Sequence, residues 1–394
     1  MKKKILFIMD SLKIGGAEKS LITILNMFDY SKYEVDLYLF SHTGEFYNMI
    51  PKEVNVIKQD ETYSVFEKNR KKSVIKYLSK LDLKSAFFSM CWLIGVLLSK
   101  LTRQRLYIGW LYLKKLIKPL DKKYDVSIAF LERKTIYFNV DNVKSDIKIG
   151  FIHNDYSKYP YNYKLDKKYF KSYNNIATVS DNCKDLLTKI FPEYADKFVV
   201  IKNMVSKELI SSLSKEKIQN YAIEDNYTKI VSVGRLVHQK GFDIAIEICK
   251  RLVEDKIDIK WYVVGDGEEK EKLESLVKKY HLENNFYLVG SDVNPYKWIS
   301  MADIYVQTSR FEGYGITVAE AKMLGKMIVA SNIPEFKYQL DGEKGIIAND
   351  TEDFCKKIKE IVENSEVAKK YIKNLENEDE TKEELEKIIE LIEQ

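Results

Sequence analysis

Two carboxylates flank a glycine-rich turn in the stretch from Arg310 to Ala330. Glu312 and Glu320 are eight residues apart, and Gly313-Tyr314-Gly315 lies between them, just before a predicted helix. The free N–H groups and the dipole of a helix N-terminus attract phosphate. Carboxylates, in turn, accept hydrogen bonds from sugar hydroxyls. The segment therefore predicts a ligand with hydroxyls on either side of a diphosphate, as in a nucleotide-sugar.

Two cations are predicted near the same ligand. Arg235 comes just after a predicted strand, with Gly234 between them, and Lys240 comes five residues later. Both are therefore expected at the carboxyl edge of a parallel sheet, where open α/β folds bind ligands. A guanidinium can donate two parallel hydrogen bonds to phosphate oxygens, and an ammonium adds a point charge. We expect the two cations to neutralise a diphosphate and to stabilise it as it departs. Taken alone, the pair is also consistent with two surface cations that bind nothing.

The pattern of apolar strands and amphipathic helices that must position these residues occurs twice along the chain. Predicted strands cover residues 4–10, 34–40, 125–130, 147–152, 175–179, 198–201, 229–233, 259–264, 286–289, 303–307 and 327–330, and predicted helices include 18–27, 242–253 and 268–280. This order predicts an α/β protein with two Rossmann-like, doubly wound domains that face a cleft. The predicted boundaries are 1–205 with a helical insert at about 64–120, 206–375, and an acidic helical tail at 376–394.

Length and composition agree with this division. A chain of 394 residues is too long for one ordinary core, and its net charge of +5 is small. The four cysteines lie far apart without a C-x-x-C pair, so reduced thiols in the cytosol are expected, with neither disulfides nor a zinc site. The N-terminal apolar run is short and ends at Asp10, which favours a buried strand over a signal peptide.

The insert allows three interpretations. Its segment Ala86–Leu98 has thirteen mostly apolar residues, which as a helix would reach ~20 Å, short of a ~30 Å hydrocarbon core. A stretch that mixes aromatic, aliphatic and basic residues follows it. The first is a pair of helices that pack on the core and have a basic outer face. The second is a surface over residues 86–118 that lies on anionic lipid, and the third is a membrane span. In the second interpretation the interfacial anchors are Trp92, Tyr107, Trp110 and Tyr112.

Two motifs resemble those of a known family. The patterns G-R-L-x-x-x-K-G from Gly234 and E-G-Y-G-x-x-x-x-E-A from Glu312 are similar to the signatures of retaining GT-B glycosyltransferases, glycosyltransferase family 4. Gly15-Gly16-Ala17-Glu18 and Ile149–Asp155 also resemble members that build bacterial polysaccharides. The likeness covers nearly the whole chain, most strongly residues 229–345 and least 60–125.

The resemblance implies a role for each matching residue. Glu320 would bind the ribose, Glu312 the donor sugar, and Leu288–Ser291 the base. His153 would contact the donor sugar near the reacting carbon, although a core histidine satisfied by its neighbours is the alternative. The implied catalytic residues are His153, Arg235, Lys240 and Glu312. The implied donor-binding residues are Gly15, Gly16, Arg235, Lys240, Gly290, Glu312, Gly313, Tyr314, Gly315, Ile316 and Glu320, and the acceptor-side residues are Asn154 and Asp155. For Glu18, a first-turn acid that stabilises the helix dipole is as good an explanation as a ligand contact.

These features and the family resemblance together imply a hexosyltransferase that moves a sugar from a nucleoside-diphosphate sugar, with UDP as the expected nucleotide, to a glycan or lipid-linked acceptor in bacterial surface polysaccharide biosynthesis. No cofactor and no metal are expected, since the sequence has no D-x-D triplet, and no nucleic acid partner is expected. The predicted location is the cytoplasm, with the inner face of the cell membrane as an additional site. The alternatives are a GT-B nucleotide-sugar epimerase or phosphorylase, and a non-catalytic scaffold that binds a glycan or nucleotide-sugar.

Overall fold

The computed structural model describes residues 2–59, 61–69, 72–101, 108–158, 162–218, 221, 223–224, 226–375 and 381–394. The chain divides into two compact units. The first contains Met1–Met204 together with Glu383–Gln394, and the second contains Val205–Lys382. Each unit is built on one parallel β-sheet with helices on both faces.

The sheet of the first unit has seven strands in the order β3-β2-β1-β4-β5-β6-β7. The strands are β1 (Lys3–Met9), β2 (Tyr33–Leu39), β3 (Asn55–Val56), β4 (Lys123–Ala129), β5 (Lys144–Ile152), β6 (Asn175–Thr178) and β7 (Phe198–Val200). The helices before residue 205 are α1 (Gly16–Met27), α2 (Glu61–Lys68), α3 (Ser73–Ser79), α4 (Leu83–Leu101), α5 (Ile108–Leu113), α6 (Lys134–Asp141), α7 (Tyr163–Phe170) and α8 (Asp181–Ile190). Strands β1 and β4 are buried on both faces, as a sheet covered by helices requires.

The sheet of the second unit has six strands in the order β10-β9-β8-β11-β12-β13. The strands are β8 (Thr228–Val233), β9 (Ile259–Val264), β10 (Phe286–Gly290), β11 (Ile304–Gln307), β12 (Met327–Ser331) and β13 (Ile346–Ala348). The helices from residue 205 onwards are α9 (Lys207–Leu213), α10 (Phe242–Glu254), α11 (Lys270–Lys279), α12 (Tyr296–Met301), α13 (Ile316–Met323), α14 (Pro334–Leu340), α15 (Thr351–Glu363), α16 (Ser365–Lys373) and α17 (Thr381–Glu393).

Both sheets reverse their strand order at one place. In the first unit the reversal lies between β1 and β4, and in the second between β8 and β11, where Ile230 pairs with Ile304 and Val231 with Tyr305. Loops at the carboxyl ends of such neighbouring strands diverge and leave a crevice for ligands. The loops after β8 and β11 carry the predicted cations and the first predicted carboxylate.

The eleven predicted strands and three predicted helices are confirmed, with ends that move by at most three residues. Strands β3 and β13 were missed. They have two and three residues respectively, too few to show an alternating or apolar pattern. The predicted α/β class with two Rossmann-like, doubly wound domains is confirmed.

Helices α2 to α5 form the insert, and one of their faces packs on the core of the first unit. Trp110 is 2% exposed and its Nε1–H donates to Asp141 (2.9 Å). Trp92 is half-buried with its ring edge-on to Phe66, at 4.9 Å between centroids. The proposed anchor role is therefore wrong for Trp110, because this indole is already buried and hydrogen-bonded. Tyr107, Arg103 and Arg105 lie outside the described residues.

Within the described part of the chain, no helix is both long enough and apolar enough to cross a membrane.

The end of the chain packs on the first unit. On α17, Ile388, Leu391 and Ile392 are buried in the core cluster that also contains β1 and β2. Lys3 Nζ donates to the carbonyl of Ile392 (2.6 Å), and Tyr33 donates to Glu393 (2.8 Å). Helix α17 therefore has one solvent-exposed acidic face and one apolar face inside the core.

Candidate functional site

The first element of the site is the loop after β8, in which Arg235 is exposed and a short 3₁₀ turn covers His238–Lys240. Gly241 ends this turn with φ +65° and begins α10. A side chain at Gly241 would collide with the carbonyl oxygen of Thr308. The hydroxyl of Thr308 donates back to the carbonyl of Gly241 (2.9 Å). The loops after β8 and β11 are therefore in direct contact.

Across this contact, Lys240 meets Glu312. Lys240 Nζ lies 2.6 Å from Glu312 Oε1, and the two side chains are 13% and 7% exposed. Ser309 Oγ donates to the same carboxylate oxygen (2.6 Å). Both contacts use Oε1. The structure thus brings together two predicted catalytic residues that are 72 positions apart in sequence.

Glu312 is held by a chain of buried polar side chains. Tyr305 donates to Gln307 Oε1 (2.8 Å), and Gln307 Nε2 donates to Ser309 Oγ (2.9 Å), which donates to Glu312. Burial raises the pKa of the Tyr305 hydroxyl, and the carboxylates of Glu320 and Glu312 raise it further. Tyr305 therefore remains a neutral donor, and the direction of the whole chain is fixed.

A second set of contacts fixes the two loops to one another. Arg310 donates to both carboxylate oxygens of Asp243 (2.9 and 2.7 Å) and to the carbonyl of His238 (2.8 Å). Gln239 Nε2 donates to the carbonyl of Phe311 (3.0 Å). Burial is the largest single influence on the Asp243 carboxyl and acts to raise its pKa. The contacts with the Arg310 guanidinium act in the opposite direction, and the pKa of Asp243 lies below its usual value. Because the carboxylate stays charged, the bidentate contact is maintained.

The glycine-rich turn leads into α13. Gly315 has φ +80° and precedes the first helical residue, Ile316, which is half-buried. A Cβ at Gly315 would collide with the ring of Phe336. The Gln339 amide donates to the carbonyl of Tyr314. The backbone is therefore set so that the first N–H groups of α13, which have no acceptor within the helix, lie at the carboxyl edge of the sheet.

Glu320 lies on α13 and is fully buried. Tyr296 donates to Glu320 Oε1 (3.0 Å). Burial raises the pKa of Tyr296 well above its usual value, and the Glu320 carboxylate raises it further. The two predicted carboxylates therefore have separate hydrogen-bond partners, and the structure joins Glu312 to Lys240 and Glu320 to Tyr296.

The predicted base-binding segment Leu288–Ser291 contains the end of β10. Gly290 has φ +85° and open space where a side chain would be. Its carbonyl accepts from the N–H of Gly265 (2.9 Å). In Gly265-Asp266-Gly267, a side chain at Gly265 would collide with the carbonyl of Gly234. These glycines therefore allow β8, β9 and β10 to end close together.

In the first unit, Gly15 caps the N-terminus of α1 in an extended conformation, and Gly16 is its first helical residue. The carboxylate of Glu18, one turn on, lies over Gly15 and occupies the space that a side chain there would need. Both glycines are half-buried. Glu18 thus takes the position of a first-turn acid at the helix N-terminus.

His153 follows β5 and is 8% exposed. Its ring stacks on Phe151, and Nδ1–H donates to Asn203 Oδ1 (3.0 Å). Among the described residues, none makes a hydrogen bond with the buried Nε2. Burial lowers the pKa of His153, although the nearby Glu132 carboxylate opposes this. The imidazole is therefore neutral near pH 7, and the bond to Asn203 leaves the Nε2 lone pair available.

Glu132 organises the backbone beside His153. One carboxylate oxygen accepts from the N–H of His153 (3.1 Å) and the other from the side-chain amide of Asn154 (2.6 Å). Asp155 instead closes a local turn, with its Oδ1 accepting from the N–H (2.9 Å) and the hydroxyl (2.7 Å) of Ser157. The structure therefore places His153 and Asn154 around one carboxylate and turns the Asp155 side chain toward its own loop.

Several residues that contact the predicted site residues, or lie near them within the same unit, were not found from the sequence. Glu132 lies three residues after the end of β4, as Arg235 lies two residues after the end of β8, and a polar residue shortly after a buried strand was the available signal. The polar run Gln307-Thr308-Ser309 at the end of β11 carried the same signal. Tyr296 and Asp243 carried none, because their partners are 24 and 67 residues away. Among the described residues, no group of three His, Cys, Asp or Glu side chains is placed to hold a metal ion.

Most of the second unit matches a known family model. Residues 214–378 match the family model described as glycosyl transferases group 1. A poly(ribitol-phosphate) alpha-N-acetylglucosaminyltransferase of Staphylococcus aureus is 26% identical over 266 residues, which cover 66% of this chain and 52% of that protein. An N-acetylgalactosamine-N,N'-diacetylbacillosaminyl-diphospho-undecaprenol 4-alpha-N-acetylgalactosaminyltransferase of Campylobacter jejuni is 28% identical over 166 residues, 41% of this chain and 44% of that protein. The chain spans about half the length of the curated relatives that it matches.

The fold agrees with the family match. The crystal structure of Anabaena HepE in complex with UDP and glucose superposes with a TM-score of 0.70 at 17% identity, over 99% of each chain. The chain has the GT-B fold, as the resemblance implied.

Proposed function

We propose that this protein is a retaining glycosyltransferase of family 4. It would transfer a hexose from a UDP-sugar to a glycan or lipid-linked saccharide in the cytoplasm, during assembly of a bacterial surface polysaccharide. The observation that carries this proposal is the contact between Lys240 and Glu312 at the carboxyl edge of the second sheet. It unites a phosphate-binding cation and a hydroxyl-binding carboxylate beside the exposed Arg235 and the N-terminus of α13.

Each half of the proposed donor has a matching group. Arg235, Lys240 and the first N–H groups of α13 would surround the diphosphate. Glu312 Oε2 is the oxygen that a hydroxyl of the donor sugar would meet, since Lys240 and Ser309 both contact Oε1. The buried carboxylate of Glu320 would accept from the ribose. Support for UDP comes from the HepE structure with UDP and glucose, and support for a lipid-linked acceptor comes from the Campylobacter jejuni relative.

The proposed chemistry is electrostatic. As the bond between the anomeric carbon and the diphosphate oxygen breaks, negative charge grows on the leaving group, and fixed cations stabilise it without reorganisation. The acceptor hydroxyl would attack the same face of the sugar, and its proton would pass to the departing phosphate oxygen. His153, neutral and with a free lone pair on Nε2, would accept a hydrogen bond from a donor sugar hydroxyl. Gly15 and Gly16 would allow backbone to approach the diphosphate.

A donor screen tests the reaction class. The protein is incubated with UDP- and GDP-sugars, with and without a lipid-linked saccharide, and both free nucleotide and the sugar product are measured. We expect UDP release that rises when acceptor is present, and a product with the donor's anomeric configuration. Conversion of the donor sugar to its epimer, or tight donor binding without release under every condition, would contradict the proposal.

The ribose assignment has its own test. Glu320→Ala removes a buried acceptor, so calorimetric titration should show a lower affinity for UDP, by roughly 10- to 100-fold for a hydrogen bond to a charged group. Tyr296→Phe is the matched control, since it removes only the hydroxyl that donates to Glu320. An unchanged affinity in Glu320→Ala would refute the ribose role while leaving the reaction class open.

A further inference from the structure

The most unusual surface of the molecule lies on α3, α4 and the turn between them. Eight large apolar side chains there are between 44% and 86% exposed. They are Ile75, Leu78, Leu81, Leu83, Phe87, Met90, Ile94 and Leu97. Elsewhere in the described chain, exposed large apolar side chains such as Val293 and Tyr338 are scattered along the sequence. Scattered ones are ordinary, whereas a contiguous group marks an interaction surface.

Five of the eight side chains form a row along α4. Leu83, Phe87, Met90, Ile94 and Leu97 follow one another at spacings of four, three, four and three residues. At 3.6 residues per turn they fall within an arc of roughly 80°. The row is therefore one continuous stripe, which we call the α4 stripe.

The opposite face of α4 is already packed. Ala86 and Ser89 are buried, the hydroxyl of Ser89 bonds to that of Ser73 on α3, and Trp92 packs edge-on against Phe66. The core of the first unit thus covers one face of the helix and leaves the α4 stripe outside. A helix with one face fixed in a folded core lies along a surface and does not pass through it.

The turn before α4 extends the apolar surface. Leu81 is 86% exposed and has φ +59°, a left-handed conformation that an ordinary leucine rarely adopts. Asp82, the next residue, caps α4 by accepting from the N–H of Ser85 (3.0 Å). The chain therefore places a leucine at the tip of the hairpin, where glycine or asparagine would be less strained.

The charges around the stripe are nearly all positive. Lys72, Lys76, Lys80 and Lys84 recur every four residues and are exposed, while Asp82 is the one acidic residue between positions 72 and 97. The Asp82 carboxylate is directed at the start of α4, where its hydrogen bonds with Ser85 lower its pKa. A second copy of the chain would bring the same lysines together at the edge of a shared interface. An anionic lipid surface offers apolar chains to the stripe and phosphate groups to the lysines.

We propose that the hairpin of α3 and α4 is a membrane-docking element, with the α4 stripe inserted among the acyl chains of an anionic bilayer and the four lysines at its phosphate groups. The surface differs from that expected from the sequence, because aliphatic side chains and Phe87 carry it, and Trp110 does not. The proposal goes beyond the transfer reaction and does not depend on it, since docking requires no donor.

Vesicle co-sedimentation tests the proposal with the full-length protein. Binding is measured to phosphatidylcholine vesicles and to vesicles that also contain phosphatidylglycerol, at low and high salt. We expect binding only to the anionic vesicles, weakened by salt. Phe87→Ser with Ile94→Ser should lower vesicle affinity by on the order of tenfold or more. Lys76→Glu with Lys80→Glu should lower it by a similar factor.

Matched controls lie in the second unit. Tyr338→Ser also removes an exposed large side chain, and Lys278→Glu with Lys279→Glu makes the same change of charge on α11. Both should bind vesicles like the wild type, and UDP affinity should be unchanged in all four variants. Equal vesicle binding by the Phe87/Ile94 variant and the wild type would overturn the proposal. So would a dimer that this variant converts to monomer, because the stripe would then be an interface between copies.

Discussion

The ammonium group of Lys240 would have two partners, a carboxylate of the protein and the diphosphate of the donor. It is bound to Glu312 at 2.6 Å, and both side chains are nearly buried, yet the proposed reaction needs its ammonium at the diphosphate. We predict that Lys240→Met, which keeps the apolar part of the side chain, lowers turnover by about 10²- to 10³-fold, as loss of one transition-state donor does. Steady-state rates of UDP release measure the effect. Lys278→Met on the exposed end of α11 is the control, and a Lys240 variant within about threefold of wild type would exclude the role.

His153 provides a prediction for the dependence of stability on pH. Burial lowers its pKa in the folded protein, so below the unfolded value of about 6.5 the unfolded chain binds more protons than the folded one. Stability is therefore unaffected by this group above about pH 6.5 and falls as the pH drops toward the lowered pKa. His153→Asn should flatten the change in urea midpoint between about pH 7 and 5. His281→Asn, at an exposed position, is the control, and equal slopes in all three proteins would contradict the prediction.

At the scale of single residues, the types of the site residues were predictable from the sequence, but the contacts between their side chains were not. The sequence pointed to Lys240, Glu312, Glu320 and Arg235 because a diphosphate and sugar hydroxyls require such groups. It could not show that Lys240 bonds to Glu312 instead of standing free, since a pairing across 72 residues depends on which strands are neighbours. The bond between Arg310 and Asp243 was missed for the same reason.

Among the elements, the start of α13 depends on one backbone conformation. Gly315 has φ +80°, and the ring of Phe336 fills the space beside it. We predict that Gly315→Ala lowers the free energy of unfolding by about 1–2 kcal/mol from the left-handed conformation. Displacement of Phe336 should add to this loss and weaken UDP binding. Urea unfolding and calorimetric titration measure the two effects.

Gly325 separates the two causes. It has φ +62° at the other end of α13, but no atom lies within 4 Å of the place where its side chain would be. Gly325→Ala should therefore show the loss from backbone strain alone and leave UDP affinity unchanged. If the two alanine variants lose the same stability and bind UDP equally well, the contact with Phe336 has no part in shaping the site.

The elements themselves were predictable where burial on both faces makes a strand apolar throughout. That holds for β1, β4, β8 and β9, whose residues are largely inaccessible. The edge strands β3 and β13 were missed because their sequences show no strand pattern. They are strands because each pairs with one neighbouring strand. The turn Gly313-Tyr314-Gly315 was predictable because two glycines just before a helical pattern indicate a turn.

Across the whole molecule, one topology is used twice. Counted within each unit, the first six strands have the spatial order third, second, first, fourth, fifth, sixth. The reversal between the first and fourth strand recurs, and loops next to it hold Glu132 in one unit and Lys240 with Glu312 in the other. The repeated strand–helix pattern predicted that both units are doubly wound. Nothing in the pattern predicted that the last helix would pack on the first unit, because an acidic amphipathic helix shows which face is apolar and not which core covers it.

That last helix leads to a prediction about the stability of the first unit. Ile392 is fully buried among residues of β1 and β2. The nearby Tyr33 hydroxyl donates to the Glu393 carboxylate, and burial together with this carboxylate raises the pKa of Tyr33 to about 12. We predict that Ile392→Ala costs about 2–5 kcal/mol, the usual range for emptying such a site. Hydrogen exchange should accelerate in β1 and β2 and stay unchanged in β8 and β11. Ile361→Ala on α15, buried in the core of the second unit, should give the reverse pattern. Faster exchange in the second sheet of Ile392→Ala would mean that α17 stabilises a unit other than the one it packs on.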